Sequence, residues 1–221
     1  MSDAALDALA LSVRVALVAT VLTAALGIPL AYGLARQKIR GGGVVDLLVT
    51  LPLVLPPTVT GYYLIVLLGR YGWIGAPLYR ATGWTIAFTW WAAVAAATVM
   101  ALPLLVRTAR AAIESVDADL EKAAFTLGRS EWRTALEVTL PLARNGIIAG
   151  LVLAFARALG EFGATLMLAG NIPGRTATVP LAIYSAVQTG ESGEAAVLVI
   201  VLTMLSCAVL LVASRLGARA A

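Results

Sequence analysis

Arg157 and Glu161 stand one helical turn apart in an otherwise apolar run, LVLAFARALGEFGATLMLAGNIPG. At that i, i+4 spacing the two side chains share a helix face and can pair. Ionised groups inside a membrane-length segment cost on the order of a few kcal/mol each, so they mark either a functional site or a deliberate pin. An arginine there could attract an anion, and Glu161 would hold that anion off full-strength binding. The structural alternative is an ion pair that pins helices at a dimer seam. Gly160 and Gly163 flank Glu161 and would let another helix approach closely.

A second constellation lies in LLVTLPLVLPPTVTGYYLIVLLG. Pro52, Pro56 and Pro57 each remove a backbone N–H and block a carbonyl one turn back. Such a break survives in lipid only where protein, water or hydroxyls satisfy the freed groups. Thr58 and Thr60 supply hydroxyls at the break. The segment reads as a broken helix lining a path for a hydrated anion, or as a packing kink.

The third constellation is AAIESVDADLEKAAFTLGRSEWRTALEVTLPLA, a charged stretch between two oily ones. Ser115 or Asp117 can cap a short helix, with acids in its first turn. Ala123, Ala124 and Leu127 give it a small apolar face, and Gly128 ends it. Ser130 starts a second helix, with Trp132, Leu136 and Leu140 on one face. Pro141 falls where the chain turns back into the membrane. The result is a two-helix elbow shaped to dock in a groove on another protein, or else an ordinary solvated loop.

Other chemistry is thinly represented. The chain has no histidine, which removes the commonest general base and metal ligand. It has no paired carboxylates within the apolar runs and no serine flanked by a base. The triplet Gly41–Gly43 sits in a tight turn, and G-x-x-x-x-G-K-[ST] is absent, so ATP binding is not expected. No catalytic, cofactor or metal site is predicted. Cys207 lies in an apolar run and is assigned to packing. No cleavable signal peptide is expected, because the first apolar segment is too long.

These residues need elements to hold them. Of the 221 residues 61% are hydrophobic and 13% charged, with a mean hydropathy of +0.93. A soluble domain carries about 25% charged residues. The sequence predicts an all-α, multi-pass membrane protein of one domain, 1–221, without internal repeats. Five segments reach spanning length, at about 9–35, 44–69, 84–106, 142–169 and 195–214. The stretch 178–187 is too short to span and is read as re-entrant, interfacial or packed on the bundle. Basic residues gather in the 36–43 loop, the 107–141 loop with Arg144, and the tail with Arg215 and Arg219. The positive-inside rule then puts the N-terminus outside and the C-terminus in the cytoplasm. The net charge of +4 is a topology signal and not a nucleic-acid footprint.

The elbow resembles the EAA loop of ATP-binding-cassette importer permeases. Ala123-Ala124, Gly128 and Val138-Thr139-Leu140-Pro141 match its spacing. One departure stands out: Lys122 occupies the position of the motif's Glu, with Glu121 just before it. The runs at 51–64 and 156–184 resemble the oxyanion subgroup, the molybdate type most closely, with tungstate and sulfate types sharing much of the pattern. The resemblance implies a type I importer (MetI-like) bundle working as a homodimer in the cell inner membrane. It implies two ABC ATPase subunits docked through Glu121, Lys122, Ala123, Ala124, Gly128, Leu140 and Pro141. It also implies an oxyanion-binding protein, periplasmic or lipid-anchored, and a path near Pro56, Pro57, Thr58, Thr60, Arg157 and Glu161. A scaffold subunit without a path is the alternative outside the family.

Overall fold

Ser2 caps the first helix by accepting the Ala5 N–H, and Asp3 adds a favourable charge to its first turn. In the computed structural model, which describes residues 2–218, this helix α1 runs unbroken over Asp3–Ala35. Among the described residues every regular element is helical. After α1 come α2 (Gly42–Val54), α3 (Pro57–Leu68), α4 (Gly75–Thr82) and α5 (Trp90–Glu114). The elbow holds α6 (Ala118–Thr126) and α7 (Glu131–Thr134), followed by a π turn, Ala135–Thr139. The chain continues through α8 (Leu140–Leu159), α9 (Gly163–Ala169), α10 (Val179–Thr189) and α11 (Ser192–Ala218).

Helix α5 is the axis of the bundle. Its buried side is largely alanine: Ala92, Ala93, Ala96, Ala97 and Ala101 have no exposed surface. Helix α1 meets it with a stripe of Ser12, Ala16, Ala19, Thr23, Gly27 and Ala31, spaced three or four residues apart. In lipid no hydrophobic effect drives helices together, so close van der Waals approach through small residues takes its place. Helix α8 also packs on α5 and touches α1 and α11.

Four helical stretches are long and apolar enough to cross a membrane: Asp3–Ala35, Trp90–Glu114, Glu131–Leu159 and Ser192–Leu211. The expected second span is two shorter helices instead. Pro56 and Pro57 stop α2 and restart the chain as α3, with Pro57 in the first turn, where its missing N–H costs nothing. The expected fourth span is likewise interrupted, between Leu159 and Gly163. The expected third span begins later, at Trp90, and runs on to Glu114. Arg219 lies outside the described residues.

The stretch 178–187 becomes α10, which packs against α1 and α11. Val179, Leu181 and Ala186 are buried, and the Val179 N–H donates to Ser12 Oγ at 2.7 Å. Of the readings offered by the sequence, packing on the bundle describes it. Cys207 is exposed on α11, so the packing role expected of it is not found within the chain.

The two interrupted helices meet where they break. A Cβ on Gly61 would lie 2.7 Å from Met167 Cβ and 2.9 Å from Ala164 Cα, and one on Gly163 would lie 2.9 Å from Pro57 Cβ. Gly61→Ala should therefore destabilise the protein by roughly 1–3 kcal/mol through overpacking. Gly43→Ala, where a Cβ meets nothing within 4 Å, should not. Thermal unfolding in detergent checks both, and equal midpoints for the two variants would contradict the close approach.

Candidate functional site

The break in α8–α9 is built around Glu161. The chain leaves α8 at Gly160, and Glu161 turns back across the gap. One carboxylate oxygen accepts the Ala164 N–H at 2.8 Å, in the first turn of α9. The other accepts Arg157 Nη1 at 2.7 Å. The acid is only 3% exposed, so its charge is neutralised and hydrogen-bonded in place. The arginine side chain is 26% exposed and reaches the surface of the break. The pairing read from the sequence is present. Of the two flanking glycines, Gly163 admits a neighbouring helix; Gly160 meets only the backbone of Ala156.

Across the break stand Pro57 and Thr58, whose atoms approach Gly163 most closely. Pro56, Pro57 and Thr58 are exposed on this single chain. Thr60 differs from expectation. It points inward, 5% exposed, and its hydroxyl has no hydrogen-bond partner among the described residues. Neither threonine closes the proline break. Past the break, Pro56 C=O accepts Val59 N–H and Thr60 N–H and so starts α3.

The elbow departs further from its sequence reading. Asp117, not Ser115, caps α6, accepting the Asp119 N–H, while Ser115 ends α5. Gly128 follows the last turn of α6 with φ +78 and donates to Phe125 C=O, while the Arg129 N–H donates to Ala124 C=O. That pair of bonds is a Schellman ending, which needs a left-handed residue. Ser130 caps the next turn by accepting Arg133 N–H. The second arm is not a separate helix. It runs through the π turn into α8 as one helical stretch, Glu131–Leu159. Leu140 N–H reaches back to Ala135 C=O across the π turn, and Pro141 follows inside the helix with no N–H of its own. Pro141 therefore does not turn the chain. The register shift beside it lets the helix carry on.

The motif residues divide by direction. Glu121 and Ala124 face inward and are buried, and Leu140 is half-buried. Lys122, Ala123 and Gly128 face out, with Leu120, Phe125, Leu127, Trp132 and Leu136 exposed near them. Leu127 is 83% exposed and Trp132 70%, a costly display for a solvated loop. Lys122 pairs with Asp119 at 2.7 Å. The hydrogen bond from Lys122 holds the Asp119 carboxyl below the usual range, and the same contact raises the Lys122 ammonium.

Sequence reasoning missed three partners. Arg36 grips Glu121 through Nη2 at 2.7 Å and Nε at 3.0 Å. Thr139, in the π turn, donates to the same carboxylate oxygen at 2.5 Å. Lys38 pairs with Glu131. Burial alone would lower the Lys38 pKa, but its contacts with Glu131 and Tyr32 outweigh it and raise the ammonium. The basic 36–40 turn signalled only topology, and no local pattern pointed to partners so far along the chain.

A helical membrane bundle with two meeting helix breaks and an apolar-faced elbow fits a transport permease. Residues 25–219 match the family described as "Binding-protein-dependent transport system inner membrane component", and the chain belongs to that family. It is thus an integral membrane component of a transport system and not an enzyme, and its partners are an ATPase and a substrate-binding protein. The chain is 49% identical to the molybdenum transport system permease protein ModB of Escherichia coli K12, covering 90% of this chain and 88% of that one. It is 45% identical to ModB of Haemophilus influenzae, over 97% and 94%. It is 41% identical to the putative molybdenum transport system permease protein YvgM of Bacillus subtilis, over 89% and 86%. The fold is similar to the inward-facing MetNI methionine ABC transporter, with a TM-score of 0.74 at 16% identity over 100% of both chains. It is also similar to a bacterial alginate ABC transporter, with a TM-score of 0.70 at 17% identity over 99% and 80%.

Glu161→Ala leaves Arg157 without its acid and should cost about 3 kcal/mol. Glu161→Gln, whose amide oxygen can still accept from Ala164, should cost less. Thermal melts of the purified variants check the order, and an unchanged midpoint for Glu161→Ala would contradict the role given to the pair.

Proposed function

We propose that this chain is the permease subunit of an ATP-driven molybdate importer, forming one permease domain over residues 1–221 in the cell inner membrane. The observation that carries this is its 41–49% identity to molybdenum permeases over about nine-tenths of its length. Two copies make the path. Support comes from α2, which has no buried residue, and from the exposed Val59, Tyr62, Tyr63 and Val66 of α3. A second copy would cover these faces. The anion passes along Pro56, Pro57, Thr58 and Arg157, with the buried Thr60 and Glu161 supporting that surface from behind. With its charge offset by Glu161, Arg157 attracts the anion without trapping it, and conduction needs such weak sites.

Two ATPase subunits dock on the elbows through Lys122, Ala123, Gly128 and the exposed apolar side chains around them. Glu121, Ala124 and Leu140 shape the elbow from within, and the exposed Pro141 stands where the second arm enters α8. An oxyanion-binding protein, periplasmic or lipid-anchored, delivers cargo to the outer loops. Closure of the ATPase pair moves the elbows and switches the bundle between its two facings, a bistable packing biased by nucleotide.

Uptake of labelled molybdate into proteoliposomes holding the assembled transporter tests the substrate. Excess sulfate should leave uptake largely intact. If modest sulfate abolished it, the importer would be of the sulfate type. The docking claim has its own test in Gly128→Val. Nothing lies within 4 Å of a Cβ there, so the substitution acts through the φ of +78, which a β-branched residue resists. The variant should insert normally but lose ATPase co-purification and uptake. Retention of both would refute the docking elbow.

A further inference from the structure

The carboxylate of Glu121 faces away from the elbow's exposed surface. It is 8% exposed, and a single oxygen accepts from Arg36 twice and from Thr139 once. Arg36 also reaches Val116 C=O at 3.5 Å, just before α6. Two residues on, Lys38 pairs with Glu131 at the start of α7. The short turn after α1 therefore holds both arms of the elbow, one through each basic side chain.

We propose that Arg36 and Glu121 are positioning residues that clamp the elbow to the inner end of α1, so that α1 moves with it. Chain continuity already links the elbow to α5 and α8. The clamp adds a third connection, to the helix whose small-residue stripe lies along α5. Without it, a push on α6 would be spent in rotating the elbow about Gly128 and the π turn. This inference rests on the reading of the elbow as the ATPase dock, but it assigns Glu121 to the opposite, inward face. Contact with the ATPase falls instead to Lys122 and its exposed neighbours.

The test uses the transporter assembled in proteoliposomes with its ATPase and binding protein, reading molybdate uptake per ATP hydrolysed and ATPase co-purification. Arg36→Gln and Glu121→Gln should each lower uptake per ATP by roughly fivefold or more, with the ATPase still bound. The double variant should be no worse than either single, because the two act as one unit. Arg36→Lys, which keeps the charge and folds even if the others do not, should retain most of the coupling. Normal uptake per ATP in both single variants would overturn the clamp. So would a double variant whose loss multiplies the two single losses. Loss of the ATPase from Glu121→Gln would also overturn it, by making Glu121 a docking contact. Failure of the docking reading shows separately, as Gly128→Val that keeps its ATPase.

Discussion

A chain in hydrocarbon must satisfy its backbone polar groups internally, and an interrupted helix is where that is hardest. This fold has two interruptions and sets them against each other. Gly61 and Gly163 bring α3 and α9 into backbone contact, with Pro57 seated against Gly163. After the first break α3 restarts on Pro56 C=O, which accepts Val59 N–H and Thr60 N–H. The second is closed by the Glu161 carboxylate on Ala164. The alanine-faced α5 and the small-residue stripe of α1 then fix the frame in which the two meet.

The two buried acids serve that frame in different ways. Glu161 is held by Arg157, four residues back near the end of α8, so its pair is a local device. Glu121 is held by Arg36, far off in sequence, and ties the elbow to the first helix. Breaking either pair leaves a charge in a poorly hydrated place, which is why such pairs resist change more than surface pairs do. The exposed Lys122–Asp119 pair carries no such constraint. Where the motif has Glu this chain has the exposed Lys122, and its buried acid stands one residue earlier.

Much of this was legible in the sequence because it rests on local chemistry. Apolar run lengths marked the long helices, the proline cluster marked the first break, and i, i+4 spacing marked the Arg157–Glu161 pair. Gly128 was readable as a helix ending because a left-handed residue favours glycine. Other features depend on distant partners and were not readable. Pro141 suggested a turn, yet the preceding π turn absorbs it and the helix continues. Thr60 looked like a cap for the break, yet it faces inward because α9 packs against that side of α3. Arg36 and Lys38 were legible only as topology signals, since their partners come near only after the bundle folds.

If the meeting breaks border an anion path, position 58 must meet water in one facing of the bundle and not in the other. The most direct test is thiol accessibility at Thr58→Cys in a chain whose Cys207 is replaced by serine. A charged, membrane-impermeant thiol reagent should label Cys-substituted position 58 in one nucleotide state and much less in the other. Molybdate should slow that labelling. Labelling that is absent in every state, or that ignores both nucleotide and molybdate, would contradict a path at the breaks.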